Sequence, residues 1–230
     1  MENDFGYAVE REKSIIRQNK CQVDRVKTTL KQIMRDWSYL GKCERDAAYK
    51  PVIEEIERIF SDKNGKLENS SKLSKVLFVE RPKKNVLVPG CGLGRLVWEL
   101  FNAGFAAEGN EFSYFMLFAS SFVLNKCFDI GPGEFQYKIF PFIHETSNII
   151  SWSDIMTEVR FPDIRLNETI EPNGTMNMGA GDFLDIYTET KWHSVITVFF
   201  IDTAHNIIDY IERIYKILHP GGTWVSYMIK

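Results

Sequence analysis

Three glycines and one glutamate carry the clearest chemistry in this chain of 230 residues. Gly90, Gly92 and Gly94 lie within residues 85–95, where a short apolar stretch leads into a glycine turn and then into a helix. Glu111 follows 21 positions after Gly90, at the end of a second predicted strand. In an open α/β sheet such glycines let the backbone approach a nucleotide-type ligand, and the acid binds ribose hydroxyls. The pattern therefore predicts a nucleotide-cofactor site.

The spacing of the glycines narrows the choice of cofactor. A dinucleotide fingerprint has a third glycine or alanine at the position of Arg95. The spacing Gly-x-Gly-x-Gly is instead the form seen in methyltransferases that use S-adenosyl-L-methionine (SAM), where the turn faces the methionine moiety. We therefore expect SAM as the cofactor. Tight packing of the strand against the helix is the structural alternative for these glycines, and the distance to Glu111 argues against it.

Two further acids have both a functional and a structural interpretation. Asp182 precedes Phe183, and it would either bind adenine or act as the N-cap of a short helix. Asp202 lies at the end of residues 194–201, a β-branched and aromatic run that predicts a buried central strand. Ligands of open α/β sheets bind just past such strand ends, but Asp202 would equally open the helix that begins near Thr203. The residues alone leave both alternatives open.

The elements that must position these residues alternate between strand and helix from about Lys84, which indicates an α/β fold. The predicted strands cover residues 85–88, 105–108, 194–201 and 223–229, and the predicted helices cover residues 93–102, 113–125 and 204–218. Helices are also predicted up to about Phe60, the second of them beginning at Pro51. The first carries one apolar stripe, made of Val23, Val26, Leu30, Ile33, Met34 and Trp37.

These elements divide the chain into two regions. Residues 1–75 form a helical N-terminal region, and residues 84–230 form the core with the cofactor site. Within the core, residues 126–180 hold four prolines and few periodic stretches, so we interpret them as an inserted irregular segment.

Composition excludes several classes of function. The formal net charge is −3 and no lysine or arginine block is dense, so a nucleic-acid surface is not expected. No apolar run is long enough to span a bilayer, and the N-terminus does not have the pattern of a signal peptide. The four cysteines show no metal-binding spacing, so we expect no metal site. Scattered cysteines also fit a reducing compartment, and we expect the cytoplasm, with the nucleus as a further location left open.

Seven short stretches between about Val23 and Trp224 carry a more specific pattern. They are residues 35–38, 44–46, 90–95, 109–113, 118–125, 181–183 and 199–206. Together they resemble the carnosine N-methyltransferase family. The glycine turn alone would indicate only SAM methyltransferases, whereas the run Phe-Phe-Ile-Asp-Thr-Ala-His-Asn at residues 199–206 is specific to the family.

This resemblance implies a fold, an activity and a set of site residues. The fold would be a Rossmann-like SAM-methyltransferase sheet with a helical N-terminal extension. The activity would be SAM-dependent methylation of the imidazole of carnosine or a related histidine-containing dipeptide, which gives anserine. The residues implied to contact the cofactor are Arg45, Gly90, Glu111, Asp182 and Phe183. Asp202 would contact the substrate imidazole, and Lys42 stands where the family has a further cofactor-contacting glutamine.

The C-terminal stretch departs from the family. Residues 225–230 do not follow the family's continuation, which adds a strand pair and further substrate residues. We therefore expect the C-terminal strands to be missing and methyltransferase activity of this chain alone to be weak. Two alternatives stay open: a SAM-binding or interaction module with little activity, and a methyltransferase for another small nitrogen nucleophile or a protein histidine. The sequence also leaves open whether the chain forms a homodimer.

Overall fold

The structure is a computed structural model. It describes residues 2–61, 84–127, 129–132, 136–147, 149–168 and 174–228, with the side chains described from residue 20 onward. The predicted loop between residues 61 and 75 lies almost entirely outside this description, as does residue 229 of the last predicted strand.

Strands and helices alternate through the second part of the chain, as the sequence predicts. The strands are β1 (Asn85–Pro89), β2 (Ala106–Glu111), β3 (Tyr137–Ile139), β4 (Val159–Phe161), β5 (Met176–Ala180), β6 (Trp192–Val198) and β7 (Leu218–Tyr227). The helices are α1 (Glu2–Trp37), α2 (Lys42–Phe60), α3 (Arg95–Asn102), α4 (Tyr114–Ser121), α5 (Trp152–Ile155), α6 (Phe183–Ile186) and α7 (Ile207–Ile217). Among the described residues, five strands form one sheet in the order β5-β2-β1-β6-β7, and every pair in it is parallel.

The sheet is central because helices cover both of its faces. Strands β1 and β6 are buried over most of their length and lack a polar face, which is typical of strands covered on both sides. Helix α2 packs Ala48, Val52 and Ile56 onto one cluster of core residues, which also contains residues of β1 and β6. The last turns of α1 place Ile33 and Trp37 in another cluster with Leu93, which lies in the turn after β1.

One expectation about the N-terminal helices is wrong. Helix α2 begins at Lys42, so Pro51 lies inside it and not in its first turn. Proline costs α2 one backbone hydrogen bond, and the burial of Arg45, Ala48 and Val52 on either side of it offsets that loss. The apolar stripe of α1 is buried only near its C-terminal end. Trp37 is 0% exposed, but Val23 is 52% exposed, because only the last turns lie over the core.

The segment of residues 126–180 contains more regular structure than the sequence indicates. Strands β3 and β4 pair as an antiparallel hairpin, and β5 adds a strand to the main sheet beside β2. β5 has the sequence Met-Asn-Met-Gly-Ala, which contains no β-branched or aromatic residue. Its strand conformation depends on pairing with β2, so composition gave no signal for it.

Candidate functional site

The predicted site residues gather along one edge of the sheet. Asp182 follows β5, Glu111 ends β2, Gly90 follows β1, and Asp202 lies just beyond β6. Because the four strands are parallel neighbours in that order, their carboxyl ends form a continuous edge. Ligands of open α/β sheets bind at such edges. The structure therefore brings together both the cofactor and the substrate residues that the sequence predicts.

The glycine turn needs its glycines. Gly90, Gly92 and Gly94 have φ angles of 64°, 55° and 78°, in the left-handed region that other residues adopt only with strain. A Cβ atom at Gly90 would also lie 2.4 Å from Cδ2 of Phe200, a buried ring. At Gly92 the nearest atoms would be 3.8 Å away, so a Cβ there would make ordinary van der Waals contacts and the strain would come from φ alone.

Neighbouring elements hold the turn through its backbone. The carbonyl of Leu93 accepts hydrogen bonds from Nε1 of Trp37 and from Oγ of Ser120, each at 3.2 Å. The amide of Cys91 donates to the carbonyl of Asn110 at 3.0 Å. Helix α1, helix α4 and strand β2 thus fix the turn from three directions before any ligand arrives.

Glu111 faces the turn, as the spacing predicts. Its Oε2 accepts the Gly92 amide at 3.0 Å, and its Oε1 accepts the amides of Phe112 and Ser113 at 2.9 and 2.8 Å. A carboxylate offers about four acceptor positions. Three are therefore used here to orient the carboxylate, and the remaining position suits a hydroxyl donor.

A buried ionic cluster lies behind the turn. Asp163 bonds the guanidinium groups of Arg45 and Arg95, the latter at 2.7 Å, and Arg95 also bonds Glu99 at 2.8 Å. The Arg95 guanidinium lies over the ring of Trp37, 5.0 Å from its centroid. Burial acts to lower the pKa of Arg95, but Glu99 and Asp163 outweigh burial and raise it. Arg95 therefore fixes the helix that follows the glycine turn.

Arg45 is directed into this cluster. Its Nη1 donates to the carbonyls of Arg35 and Ser38, the latter at 2.7 Å, while its Nη2 contacts Asp163. Burial and the neighbouring Arg95 lower the pKa of Arg45. Its contact with the cofactor stays a prediction.

Asp36 belongs to the same cluster, and the sequence gave no role for it. It is 2% exposed. Its Oδ1 accepts the Tyr49 hydroxyl at 3.0 Å, whereas its Oδ2 makes no hydrogen bond of normal geometry with the described residues. Burial raises the pKa of Asp36. The stretch of residues 35–38 contributed to the family resemblance, which was the only signal that could have singled it out.

Asp182 and Phe183 have structural roles in the described contacts. Asp182 is the N-cap of α6 and accepts the Leu184 amide at 2.8 Å, which is the structural alternative that the sequence left open. The Phe183 ring is buried, edge-on to Phe200 and Tyr210 with centroids 5.6 and 5.4 Å apart. Neither contact tests adenine binding, which stays a prediction for both residues.

Asp202 is exposed and lies in a short 3-10 helix, Ile201–Thr203. The interpretation of Asp202 as the cap of the next helix is wrong, because α7 begins at Ile207 and Asn206 caps it through the Ile208 amide at 3.1 Å. No hydrogen-bond donor among the described residues contacts the Asp202 carboxylate. The side chain is therefore free to meet a ligand.

Phe199 makes the bend that presents Asp202. Its φ of 52° is the only positive value at a residue other than glycine in the described ranges. Such a conformation costs on the order of 1–3 kcal/mol, and it clusters at functional sites. The bend turns Phe200 inward beneath Gly90 and leaves the following turn at the strand-end edge.

Two negative findings apply to the described part of the chain. No helix there is both long and apolar enough to cross a membrane. No group of three or more His, Cys, Asp or Glu side chains there is arranged to hold a metal ion.

The parallel sheet, the glycine turn after its central strand and the acid at the end of the next strand define a Rossmann-like fold of the methyltransferase class. A family model described as carnosine N-methyltransferase matches residues 12–227. The chain belongs to the carnosine N-methyltransferase family.

Relatives of the same family match most of the chain. The carnosine N-methyltransferase of Mus musculus is 46% identical over 205 residues, which cover 89% of this chain and 46% of the relative. That of Schizosaccharomyces pombe is 38% identical, covering 90% of this chain and 52% of the relative. The chain thus spans about half the length of the curated relatives that it matches. The glycopeptide N-methyltransferase MtfA complexed with sinefungin aligns with a TM-score of 0.42 at 13% identity, covering 78% of this chain and 53% of that chain.

Proposed function

We propose that this chain binds SAM and takes part in methylating the imidazole of carnosine or a related histidine-containing dipeptide, with anserine as the product. The observation that carries the proposal is the pairing of Glu111 with the glycine turn, since Oε2 of Glu111 lies 3.0 Å from the Gly92 amide. Membership of the carnosine N-methyltransferase family supports the substrate.

The residues at the turn fit an S-adenosyl compound. The positive φ of Gly92 requires glycine in the turn, and the Gly92 amide holds Glu111 in place. The free acceptor position of Glu111 suits a ribose hydroxyl. Asp182 follows β5, two strands from β1, and would there accept a hydrogen bond from the adenine amine. Gly90, Gly94, Arg45 and Phe183 complete the proposed cofactor set. SAM supplies a methyl group that its sulfonium has already activated.

The protein's task in the reaction is to orient the nucleophile. An imidazole has an unperturbed pKa near 6.5, so it is mostly neutral around pH 7 and needs no strong base. One ring nitrogen must present its lone pair while the other keeps its hydrogen. We assign Asp202 to accept that N–H, which fixes the tautomer and stabilises the positive charge that methylation creates. Its exposure and lack of a described partner support this role.

Cofactor binding is tested by calorimetric titration with S-adenosylhomocysteine (SAH) and, separately, with NAD. We expect SAH to bind, and Glu111→Ala to weaken binding by about 1–3 kcal/mol because ribose hydroxyls lose a charged acceptor. Glu212→Ala, an exposed glutamate of α7, is the matched control and should bind as the wild type does. Tight binding of NAD without binding of SAH would refute the cofactor.

Substrate orientation is tested with Asp202→Asn, by assaying anserine formation beside SAH affinity. The variant should lose turnover and keep its SAH affinity, because an amide can present its N–H side to the ring and select the wrong tautomer. Asp209→Asn, an exposed acid on α7, controls for the loss of charge. Equal turnover of the variant and the wild type would remove Asp202 from the mechanism.

A second candidate is a SAM-binding interaction module, and one surface favours it. Helix α7 exposes Ile207, Ile208, Ile211 and Tyr215, and Ile208 is 63% exposed. Apolar side chains grouped on one helix are typical of contact surfaces. Sedimentation of the chain with and without SAH would show whether this surface forms a homodimer, and Ile208→Glu should then dissociate it.

A further inference from the structure

We propose that Oδ2 of Asp36 accepts a hydrogen bond from the α-ammonium group of SAM, which makes α1 a part of the cofactor site. The inference rests on the proposed binding of SAM, and it assigns a partner to the charged amino end of that ligand. The stretch of residues 35–38 contributed to the family resemblance, but it assigned no role to Asp36.

Asp36 is a buried carboxylate, and one of its two oxygens makes no hydrogen bond. Asp36 is 2% exposed, and its Oδ1 is satisfied by the Tyr49 hydroxyl at 3.0 Å. Its Oδ2 is buried and makes no hydrogen bond of normal geometry with the described residues, although the side chain of Gln32 lies close enough to act against the rise in its pKa. A buried acceptor without a donor is destabilising, and a charged one more so, so such groups are rare in folded proteins. The oxygen is therefore available to a donor that arrives from outside the fold.

Oδ2 of Asp36 lies beside the glycine turn. A Cβ atom built on Gly92 would lie 3.8 Å from Oδ2 of Asp36. The backbone here is held firmly: the Asp36 carbonyl accepts Nη1 of Arg95 at 3.1 Å, and the neighbouring Trp37 indole donates to Leu93. The free oxygen therefore faces the turn that meets the methionine end of the cofactor, and the helix cannot easily turn it away.

The charges around Asp36 also favour an ammonium group as its partner. Asp163 and the partly exposed Glu99 bond the two guanidinium groups, whereas no hydrogen bond joins the Asp36 carboxylate to either arginine. Burial raises the pKa of Asp36, and a cation beside the carboxylate would favour its charged form. The ligand's ammonium group carries a positive charge and three N–H donors, so it can balance that charge. The ligand's carboxylate would instead be repelled by Asp36.

The other acids near the turn are less suited to this role. Glu111 already accepts three backbone amides, and both oxygens of Asp163 contact arginines. Strand β1, with the sequence Asn-Val-Leu-Val-Pro, contributes no acid at all. Asp36 is thus the carboxylate beside the turn whose oxygen is free, within the residues that the structure describes.

The test compares two ligands on three proteins by calorimetry. The ligands are SAH and its analogue without the α-amino group, and the proteins are the wild type, Asp36→Asn and Asp24→Asn. Asp24 lies on the same helix with an exposed carboxylate, so its variant controls for the change in net charge. We expect Asp36→Asn to bind SAH at least about tenfold more weakly than the wild type, yet to bind the amino-free analogue equally well.

Each contrary result has a distinct meaning. Equal losses for both ligands in Asp36→Asn would overturn the assignment of Asp36 and leave SAM binding intact. No binding of SAH to the wild type would overturn the proposed function and this inference with it. The ligand-free Asp36→Asn variant should melt no lower than the wild type, because it removes an unpaired buried charge. Failure of the variant to fold would show that the ligand-free fold needs the carboxylate, which also overturns the assignment.

Discussion

The two sides of the strand-end edge are built differently. On the side of β1 and β2, the turn and Glu111 are fixed by backbone hydrogen bonds, and a buried ionic cluster supports them from behind. On the side of β6, Asp202 is exposed and α7 turns isoleucines outward. We call these the cofactor side and the substrate side. One is ordered by the chain's own contacts, and the other leaves its functional group free.

The difference separates two tasks. A cofactor site gains affinity when its donors and acceptors are already in place, because little conformational entropy is lost on binding. A side chain that contacts only the substrate does not need such internal hydrogen bonds. Its replacement therefore disturbs the fold little. Substitutions of the groups that hold the cofactor side together should therefore affect stability and binding together, with Asp36 and its unpaired oxygen as the exception, whereas those on the substrate side should affect turnover alone.

The largest effect should come from Asp163→Ala. The change leaves Arg45 and Arg95 as buried cations without their shared carboxylate. Breaking a buried ion pair from one side costs about 3–5 kcal/mol, and urea denaturation would measure it. Glu158→Ala, which breaks two exposed ion pairs in the same segment, should cost much less, because solvent screens both pairs. Similar costs for the two variants would mean that the cluster does not support the cofactor side.

Gly90→Ala should have the next largest effect, about 2–4 kcal/mol from backbone strain and overpacking together. The new Cβ would lie 2.4 Å from Phe200, at a φ of 64°. Gly221→Ala is the matched control, because its φ is 81° but nothing lies within 4 Å of the new atom. Denaturation curves give the loss in free energy of unfolding for each variant, and the difference between the two losses isolates the contact with Phe200. If that difference is zero, the turn is looser than the structure shows.

Thiol reactivity should separate the buried from the exposed cysteines. Burial raises the pKa of Cys127 to about 11 from an ordinary value of 9.0, and burial with Glu111 and Asp36 raises that of Cys91. At pH 8, Cys127 should therefore have about 100-fold less thiolate than an ordinary cysteine, in addition to its burial. Cys21 and Cys43 are exposed and should be alkylated first. Mass spectrometry over time would count the labels, and rapid labelling of Cys91 would show that the turn opens.

Asp202→Asn should have the smallest effect on stability, within about 0.5 kcal/mol. The carboxylate is exposed and does not cap α7. A denaturation curve beside that of the wild type would measure the change. A loss above about 1 kcal/mol would assign the substrate side a structural role and weaken the contrast with the cofactor side.

The sequence predicted the parts of the site that depend on local pattern. The glycine turn, the strand before it and Glu111 follow from the spacing of residues within one strand–helix–strand unit. Asp36 and Asp163 could not be predicted in this way. Asp163 is 118 residues from Arg45 and 68 from Arg95, and only the folded chain brings them together.

Strands were predicted where one pattern dominates, although β6 spans Trp192–Val198 and not the predicted residues 194–201. β6 is a continuous β-branched run and was found, whereas β5 owes its conformation to its neighbour and was missed. Pro51 was misread because its usual position is the first turn of a helix, and tertiary burial of Arg45 and Ala48 overrides that preference here.

The bond between Arg45 and Asp163 also sets a sequence of events during synthesis. A ribosome adds about 5–20 residues per second, so Asp163 emerges roughly 6–24 seconds after Arg45. Through that interval the N-terminal helices carry an arginine whose buried carboxylate partner does not yet exist. They cannot complete their packing early, and the nascent chain must keep them accessible until Asp163 has emerged, by which time β1 and β2 of the five-stranded sheet have been made.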